Sequence, residues 1–258
     1  MFFSDLVKYW GYGVSSAGAQ LESEVSNSYL NWLWWILEPL CMMCVYAFIF
    51  GTVFGMETEG YHVFIFIGIM FYDFFSKGIK SSVKIIRRNR NVVTRTYVPK
   101  FILVMSELFV GGFKMLVCLA VSTVMGMLCG IRPTPCILMM IPIMADMYLF
   151  TFAACIFAAH FGTFVEDLQN VVNIMLKFLF YFTGVFYSIS ERLPVRYSAP
   201  LLRFYPVAGL IENARNACMH GEMPNIPYLA AVAAVSVLAA AAGIRLMYRH
   251  ENTYVKML

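Results

Sequence analysis

Long apolar runs separated by short polar ones set the pattern of this chain, and their lengths predict helices that cross a bilayer. A helix needs about 20 predominantly apolar residues to span roughly 30 Å of hydrocarbon. Six runs meet that test. The first covers Asn31 to Phe54 and is free of charge from Pro39 to Met56. The second runs from Gly60 to about Lys77, interrupted by His62 and Asp73. The third, Phe101 to Gly130, carries Glu107 and Lys114, and the fourth, Pro135 to Phe161, carries Asp146. The fifth runs from Leu168 to Ile189 and holds Lys177; the sixth, Ile226 to Met247, is rich in Ala and Val. Backbone groups in hydrocarbon must bond within their own segment, so the runs are expected as helices. No basic stretch with a small-residue cleavage site precedes Asn31, so the first run is expected to stay in place as a span.

Two segments fit neither a span nor a turn. Ala17, Leu21, Val25 and Tyr29 recur every four residues among Gln20, Glu22 and Glu24, which predicts an amphipathic helix in the membrane interface. The aromatic residues Phe2, Phe3, Tyr9, Trp10 and Tyr12 upstream favour the same headgroup region. Between the fifth and sixth runs, residues 190–225 hold apolar pieces too short to span and broken by Pro206, which predicts re-entrant or interfacial helices. The expected organisation is an interfacial helix over 1–30 and one membrane domain over 31–258, with no internal repeat of the inverted kind.

Composition supports a lipid-facing surface. The chain is 60% hydrophobic and only 13% charged, about half the charge of an ordinary soluble domain; its mean hydropathy is +0.71. The net charge of +4 leaves no nucleic-acid footprint. Its distribution is more informative. Lys77, Lys80, Lys84, Arg87, Arg88, Arg90, Arg95 and Lys100 crowd one connection, and Arg245, Arg249 and Lys256 mark the tail. The positive-inside bias then puts both termini and the 77–100 connection in the cytoplasm. The basic crowd reads as a topology signal touching anionic lipid, or as a short helix from Arg87 to Tyr97 that docks on a motor subunit.

The motif record is mostly negative. There is no G-x-x-x-x-G-K-[ST] loop to cradle nucleotide phosphates, no H-E-x-x-H and no G-x-S-x-G. Seven cysteines are present, Cys41 and Cys44 as a C-x-x-C inside an apolar run with no second ligand pair, so neither a metal nor a resident cofactor is expected. Glu38, Asp73, Glu107, Lys114, Asp146 and Lys177 each cost about 2.5–3.5 kcal/mol at a helix centre and should face protein or water. Glu107 and Lys114 share a helix face, which makes pairing the plain account and an ion relay the sharper one. Aromatic residues either form a headgroup belt or line a path for sugar; the candidate path residues are Trp35, Glu38, Tyr72, Tyr181, Tyr187 and Tyr205.

Several short stretches, taken in order, carry a resemblance. Asn27-Ser28-Tyr29-Leu30 followed by Trp34-Trp35-Ile36-Leu37-Glu38-Pro39-Leu40 resembles the entry to the first span of type-2 ATP-binding-cassette export permeases. Asn91-Val92-Val93 with Tyr97-Val98-Pro99 resembles their cytoplasmic coupling segment, and Glu166-Asp167-Leu168-Gln169 their fourth-to-fifth connection. Tyr205-Pro206-Val207-Ala208-Gly209-Leu210-Ile211-Glu212 with Arg215 resembles their outer re-entrant segment. The most similar subset exports capsule polysaccharide, O-antigen or teichoic acid.

The resemblance implies an all-α polytopic protein of the bacterial inner membrane, with six transmembrane helices, an N-terminal interfacial helix and re-entrant outer helices. It implies a homodimer in membrane lipid, each copy bound to a nucleotide-binding ATPase subunit that holds ATP and Mg, moving a lipid-linked polysaccharide outward. Coupling falls to Arg87, Arg88, Arg90, Asn91, Arg95 and Tyr97, and the outer motif to Pro206, Gly209, Glu212 and Arg215. A small-molecule exporter, an integral-membrane glycolipid-processing enzyme and an ion-coupled carrier using Glu107, Lys114 and Asp146 stand as alternatives.

Overall fold

The structure, a computed structural model, describes residues 2–26, 31–55, 60–132 and 134–257. The Asn27-Ser28-Tyr29-Leu30 motif lies outside the described residues. Every regular element among the described residues is helical.

The chain opens with α1 (Phe2–Ser26), longer than the amphipathic stretch expected around Ala17. Its aromatic side chains meet protein. Trp10 packs edge-on against Phe109 with ring centroids 5.3 Å apart, Phe2 lies 5.3 Å from Phe101, and Tyr9 lies 6.3 Å from Tyr97. Ala17 is buried on the same helix. At the far end the Lys114 ammonium holds the Glu24 carboxylate at 2.6 Å, and Trp35 Nε1 donates to that carboxylate at 3.1 Å.

α2 (Asn31–Tyr46) runs on as a wider π-helical stretch, Ala47–Val53. Pro39 sits inside it, and a proline ring deprives the carbonyl four residues earlier of its helical donor. That carbonyl belongs to Trp35, and the Cys118 thiol reaches it at 3.7 Å. Such re-satisfaction from a neighbour is what lets proline stay in a membrane helix.

α3 (Tyr61–Val83) is the axis of the fold. Its most apolar window is 83% buried, against 22% to 39% for the other long apolar helices. It extends well past Lys77, so Lys77 and Lys80 ride on the helix itself. After it come two short helices, α4 (Ile85–Arg88) and α5 (Arg90–Arg95), then α6 (Lys100–Leu128). A 3₁₀ turn, Pro135–Met139, leads into α7 (Met140–Phe164).

α8 (Leu168–Phe182) stops short of the expected Ile189. At 15 residues and 1.5 Å per residue it is roughly 22 Å long. The chain turns at Gly184, whose φ of 69° is open to glycine at little cost. Three helices then fold back on one another: α9 (Ile189–Arg192), α10 (Val195–Phe204) and α11 (Pro206–Arg215), the last continuing as a π turn, Asn216–His220. α12 (Ile226–Arg249) packs along α7, and α13 (Glu251–Met257) closes the described chain.

Among the described residues, five helices are long and apolar enough to cross a membrane: Trp32–Val53, Tyr61–Val83, Lys100–Leu128, Pro135–Phe164 and Ile226–Arg249. With the shorter apolar α8 they define a multi-pass membrane protein. α3 sets its two ends: Arg215 of α11 reaches the Phe64 carbonyl near the start of α3, whereas α4 and α5 follow its last turn.

Candidate translocation surface and coupling segment

The basic connection is anchored by its apolar residues and presents its polar ones. Ile85, Ile86 and Val93 are buried, whereas Arg90, Asn91, Arg95 and Tyr97 are exposed. The single helix expected from Arg87 to Tyr97 is broken at Asn89, whose side chain donates to the Ile85 carbonyl at 2.9 Å. Tyr97 lies beyond the last helical turn, two residues before Pro99. Thr96 is already extended, and Val98 is restricted by the proline that follows it.

The arginines divide into two groups. Arg88 pairs with Glu107 at 2.6 Å, and Arg87 with Glu166 at 3.2 Å and the Thr163 carbonyl at 3.1 Å. These two brace the connection against α6 and the end of α7. Arg90 and Arg95 form no ion pair among the described residues and point away from the bundle. The expected Glu107–Lys114 pair does not form. Seven residues are about 10 Å along a helix, beyond the reach of the neighbouring-turn contact. Glu107 instead takes Arg88 and the Ser81 hydroxyl (2.5 Å), and Lys114 takes Glu24.

The tail braces the same region. Lys100, with a side chain only 4% exposed, holds Glu251 of α13 at 2.9 Å, and the Tyr97 hydroxyl donates to the other carboxylate oxygen at 3.3 Å. Desolvation and the nearby Glu251 charge push the Tyr97 phenol above its ordinary range. Sequence reading missed Glu251, whose partner lies 151 positions away. Glu251→Ala strands a buried ammonium, and the expected cost is about 2 kcal/mol, below the 3–5 kcal/mol of a fully buried pair. Hydrogen exchange in α5 and α13 should quicken together; unchanged exchange in both would contradict this bracing role.

The candidate path residues fall in separate places. Trp35 and Glu38 line a cavity of about 170 Å³ with Asp73, Lys77 and Lys114. There Lys77 bridges Glu38 at 3.1 Å and Asp73 at 3.0 Å, and the Lys77 and Glu38 side chains remain 56% and 59% exposed. Tyr72 is buried and donates to the Leu176 carbonyl, joining α3 to α8. Tyr205 is half-buried against Thr183, 3.0 Å away. Tyr187 donates to the Tyr181 carbonyl at 3.1 Å, and the Tyr181 ring is exposed.

A further feature surfaces on α8. Asn170, Ile174, Lys177 and Tyr181 are all exposed and recur at helical spacing, forming one stripe. Lys177 has no ion pair among the described residues. An ammonium amid Ile174, Phe178 and Tyr181 cannot sit comfortably in lipid, so this face meets water or protein. The spacing was present in the sequence, but apolar neighbours on every side hid which face Lys177 takes.

The Pro206–Arg215 motif forms a tight staple. Pro206 begins α11, where its missing N–H costs nothing. Gly209 lies so close to Tyr228 of α12 that a Cβ would overlap the phenol, which itself donates to the Leu202 carbonyl at 2.9 Å. Glu212 accepts from Ser190 at 2.5 Å and Ser188 at 3.3 Å. Arg215 is 2% exposed, and its guanidinium serves three carbonyls: Phe64 at 3.2 Å, Gly184 at 2.8 Å and Val185 at 3.0 Å. It also lies 3.4 Å over the Phe64 ring. The carbonyls freed at the end of α8 thus find their donors on α11.

A multi-pass helical bundle with a braced basic connection and an exposed lysine on an apolar helix is consistent with a transport subunit, and the comparisons agree. The profile of the ABC-2 type transporter family matches residues 19–218, most of the chain, and the protein belongs to that family. It is 23% identical over 239 residues to an O-antigen export system permease protein RfbA of Klebsiella pneumoniae, covering 92% of this chain and 91% of the relative. To a protein of the same name from Myxococcus xanthus it is 26% identical over 234 residues, covering 91% and 90%.

Proposed function

We propose that this chain is the permease subunit of an ATP-binding-cassette exporter that moves a lipid-linked, O-antigen-type cell-envelope polysaccharide outward across the bacterial inner membrane. The observation that carries the reading is similarity over nine-tenths of the chain to two permeases named for O-antigen export. The capsule and teichoic acid exporters belong to the same proposal as related substrate classes.

Two copies are proposed to face each other across the polar edges of their bundles, with the Asn170–Tyr181 stripe and the Glu38–Lys77 pair bordering the path. An unpaired Lys177 on an apolar helix supports such a face, because a second copy or a hydrated path relieves its cost. Trp35, Tyr181 and Tyr187 offer ring faces to sugar, while Tyr72 and Tyr205 support the helices behind them. Six spans are proposed, with α8 and the turn after it completing the fifth crossing and α9–α11 dipping into the outer leaflet. In this reading α1 lies in the cytoplasmic interface as a unit before the permease domain that begins at residue 31, and both termini are cytoplasmic. The crowd of Lys and Arg between residues 77 and 100 supports this orientation.

The motor is proposed to be a separate subunit binding ATP and Mg. Arg90, Asn91, Arg95 and Tyr97 would contact it, and Arg87 and Arg88 would carry its movement into α6 and α7. Deleting the gene should remove the glycan from the cell surface and leave the lipid-linked form on the cytoplasmic leaflet. Full surface glycan in the deletion strain would contradict the proposal.

A further inference from the structure

At the end of the bundle opposite α4 and α5, α10, α11 and α12 border a cleft of about 820 Å³. That volume falls within the roughly 300–1,000 Å³ range of ligand sites. Phe150, Leu202, Phe204 and Val235 supply an apolar wall, and Arg203 and Asn225 stand among its polar groups. Phe204 and Val235 are themselves 81% and 60% exposed, so the cleft opens sideways, where a membrane protein meets hydrocarbon.

Charge singles out the occupant. Arg192, Arg196 and Arg203 are all exposed on α9 and α10, interleaved with exposed Val195, Tyr197 and Phe204. None of the three forms an ion pair among the described residues. Glu212 reaches the same cleft and keeps its charge while accepting from Ser188 and Ser190, and Glu191 is exposed on α9, so the three arginines outnumber the two carboxylates by one. Basic residues are sparse on the outer side of membrane proteins, so three exposed arginines there call for an anion. Placing this end outside rests on the orientation proposed above. The combination of arginine and apolar side chains on a short helix suits an interface with phosphate headgroups.

We propose that this cleft is a binding site for a membrane glycerophospholipid, with an acyl chain against Phe150, Ala231 and Val235 and the phosphate on Arg203. Guanidinium meets phosphate through two parallel N–H donors, which gives the contact direction as well as charge. The site is separate from the proposed sugar path on α2, α3 and α8, and from the carried glycan itself.

The test is a lipid titration followed by native mass spectrometry. The full complex is produced in a host that makes no lipid-linked glycan, and phosphatidylglycerol is the probe. The wild type should bind one such lipid per copy of this chain. Arg203→Ala should bind it about ten-fold more weakly, as the loss of a charge-assisted contact implies. Ala231→Trp, which fills the cleft from an exposed position, should abolish that binding. Diacylglycerol, which has the chains but no phosphate, should bind wild type and Arg203→Ala alike. Equal phosphatidylglycerol binding by Arg203→Ala and wild type would overturn the phosphate assignment, and full binding by Ala231→Trp would place the lipid elsewhere. An Ala231→Trp complex that splits into halves would mean that a second copy covers the cleft, and this too would overturn the proposal. Because the readout is lipid mass, failure of this site leaves the export reading untouched, and failure of export leaves this test valid.

Discussion

Arg215→Met is expected to be the most damaging single substitution outside the long spans. Its guanidinium is the donor for the Phe64, Gly184 and Val185 carbonyls, which belong to two different parts of the chain. Each buried carbonyl left without a donor costs about 1–3 kcal/mol, partly offset because a buried charge is removed as well. A net loss of at least about 3 kcal/mol follows, or roughly 6–12 °C in apparent Tm for a chain of this size. Arg215→Lys should fare little better, since a compact ammonium cannot serve three carbonyls spread around a planar fork. The check is thermal unfolding in mild detergent followed by size exclusion. A fall of less than about 2 °C for the methionine variant would mean that α9–α11 are held by something else.

The second large effect is expected at the proposed coupling segment. Arg90→Glu with Arg95→Glu reverses two exposed charges that form no ion pair among the described residues. Folding should be unaffected, because exposed charges on a short helix contribute little to stability. Binding of the ATPase subunit should weaken at least ten-fold, about 1.4 kcal/mol. Arg88→Ala should show the reverse balance. It frees the half-buried Glu107 from its 2.6 Å partner and loosens the segment, with a smaller effect on the docking face. The measurement is the ratio of ATPase subunit to permease in a purified complex, alongside apparent Tm. Equal retention of the ATPase by the double reversal and the wild type would remove Arg90 and Arg95 from the interface.

Much of the bundle was legible in the hydropathy pattern, for a physical reason. Helices that must satisfy their own backbone in lipid are written as long unbroken apolar runs. The starts at Tyr61, Lys100, Pro135 and Ile226 lie within a residue or so of those expected. The end of α8 was not legible, because Gly184 turns the chain inside a stretch that stays apolar through Val185 and Phe186. What makes that turn affordable is Arg215, some 30 positions later, and no local pattern reports such a partner.

The charges tell the same story. Hydropathy correctly marks Glu107 and Lys114 as exceptional, but their partners come from α1 and the basic connection. The aromatic residues at the N-terminus were expected at headgroups, and Trp10 and Tyr9 also pack on Phe109 and Tyr97. A ring suits a protein groove as well as a bilayer interface, and the contact with α6 was not legible because it depends on how the helices pack.

The central claim is that this permease works with a separate motor on a lipid-linked glycan. Its most direct test is a tagged purification from the native membrane in mild detergent, with mass spectrometry of the co-purifying proteins and lipids. The account predicts a phosphate-loop ATPase in stoichiometric amount, with glycolipid alongside. An intact, homogeneous preparation that carries neither would contradict it.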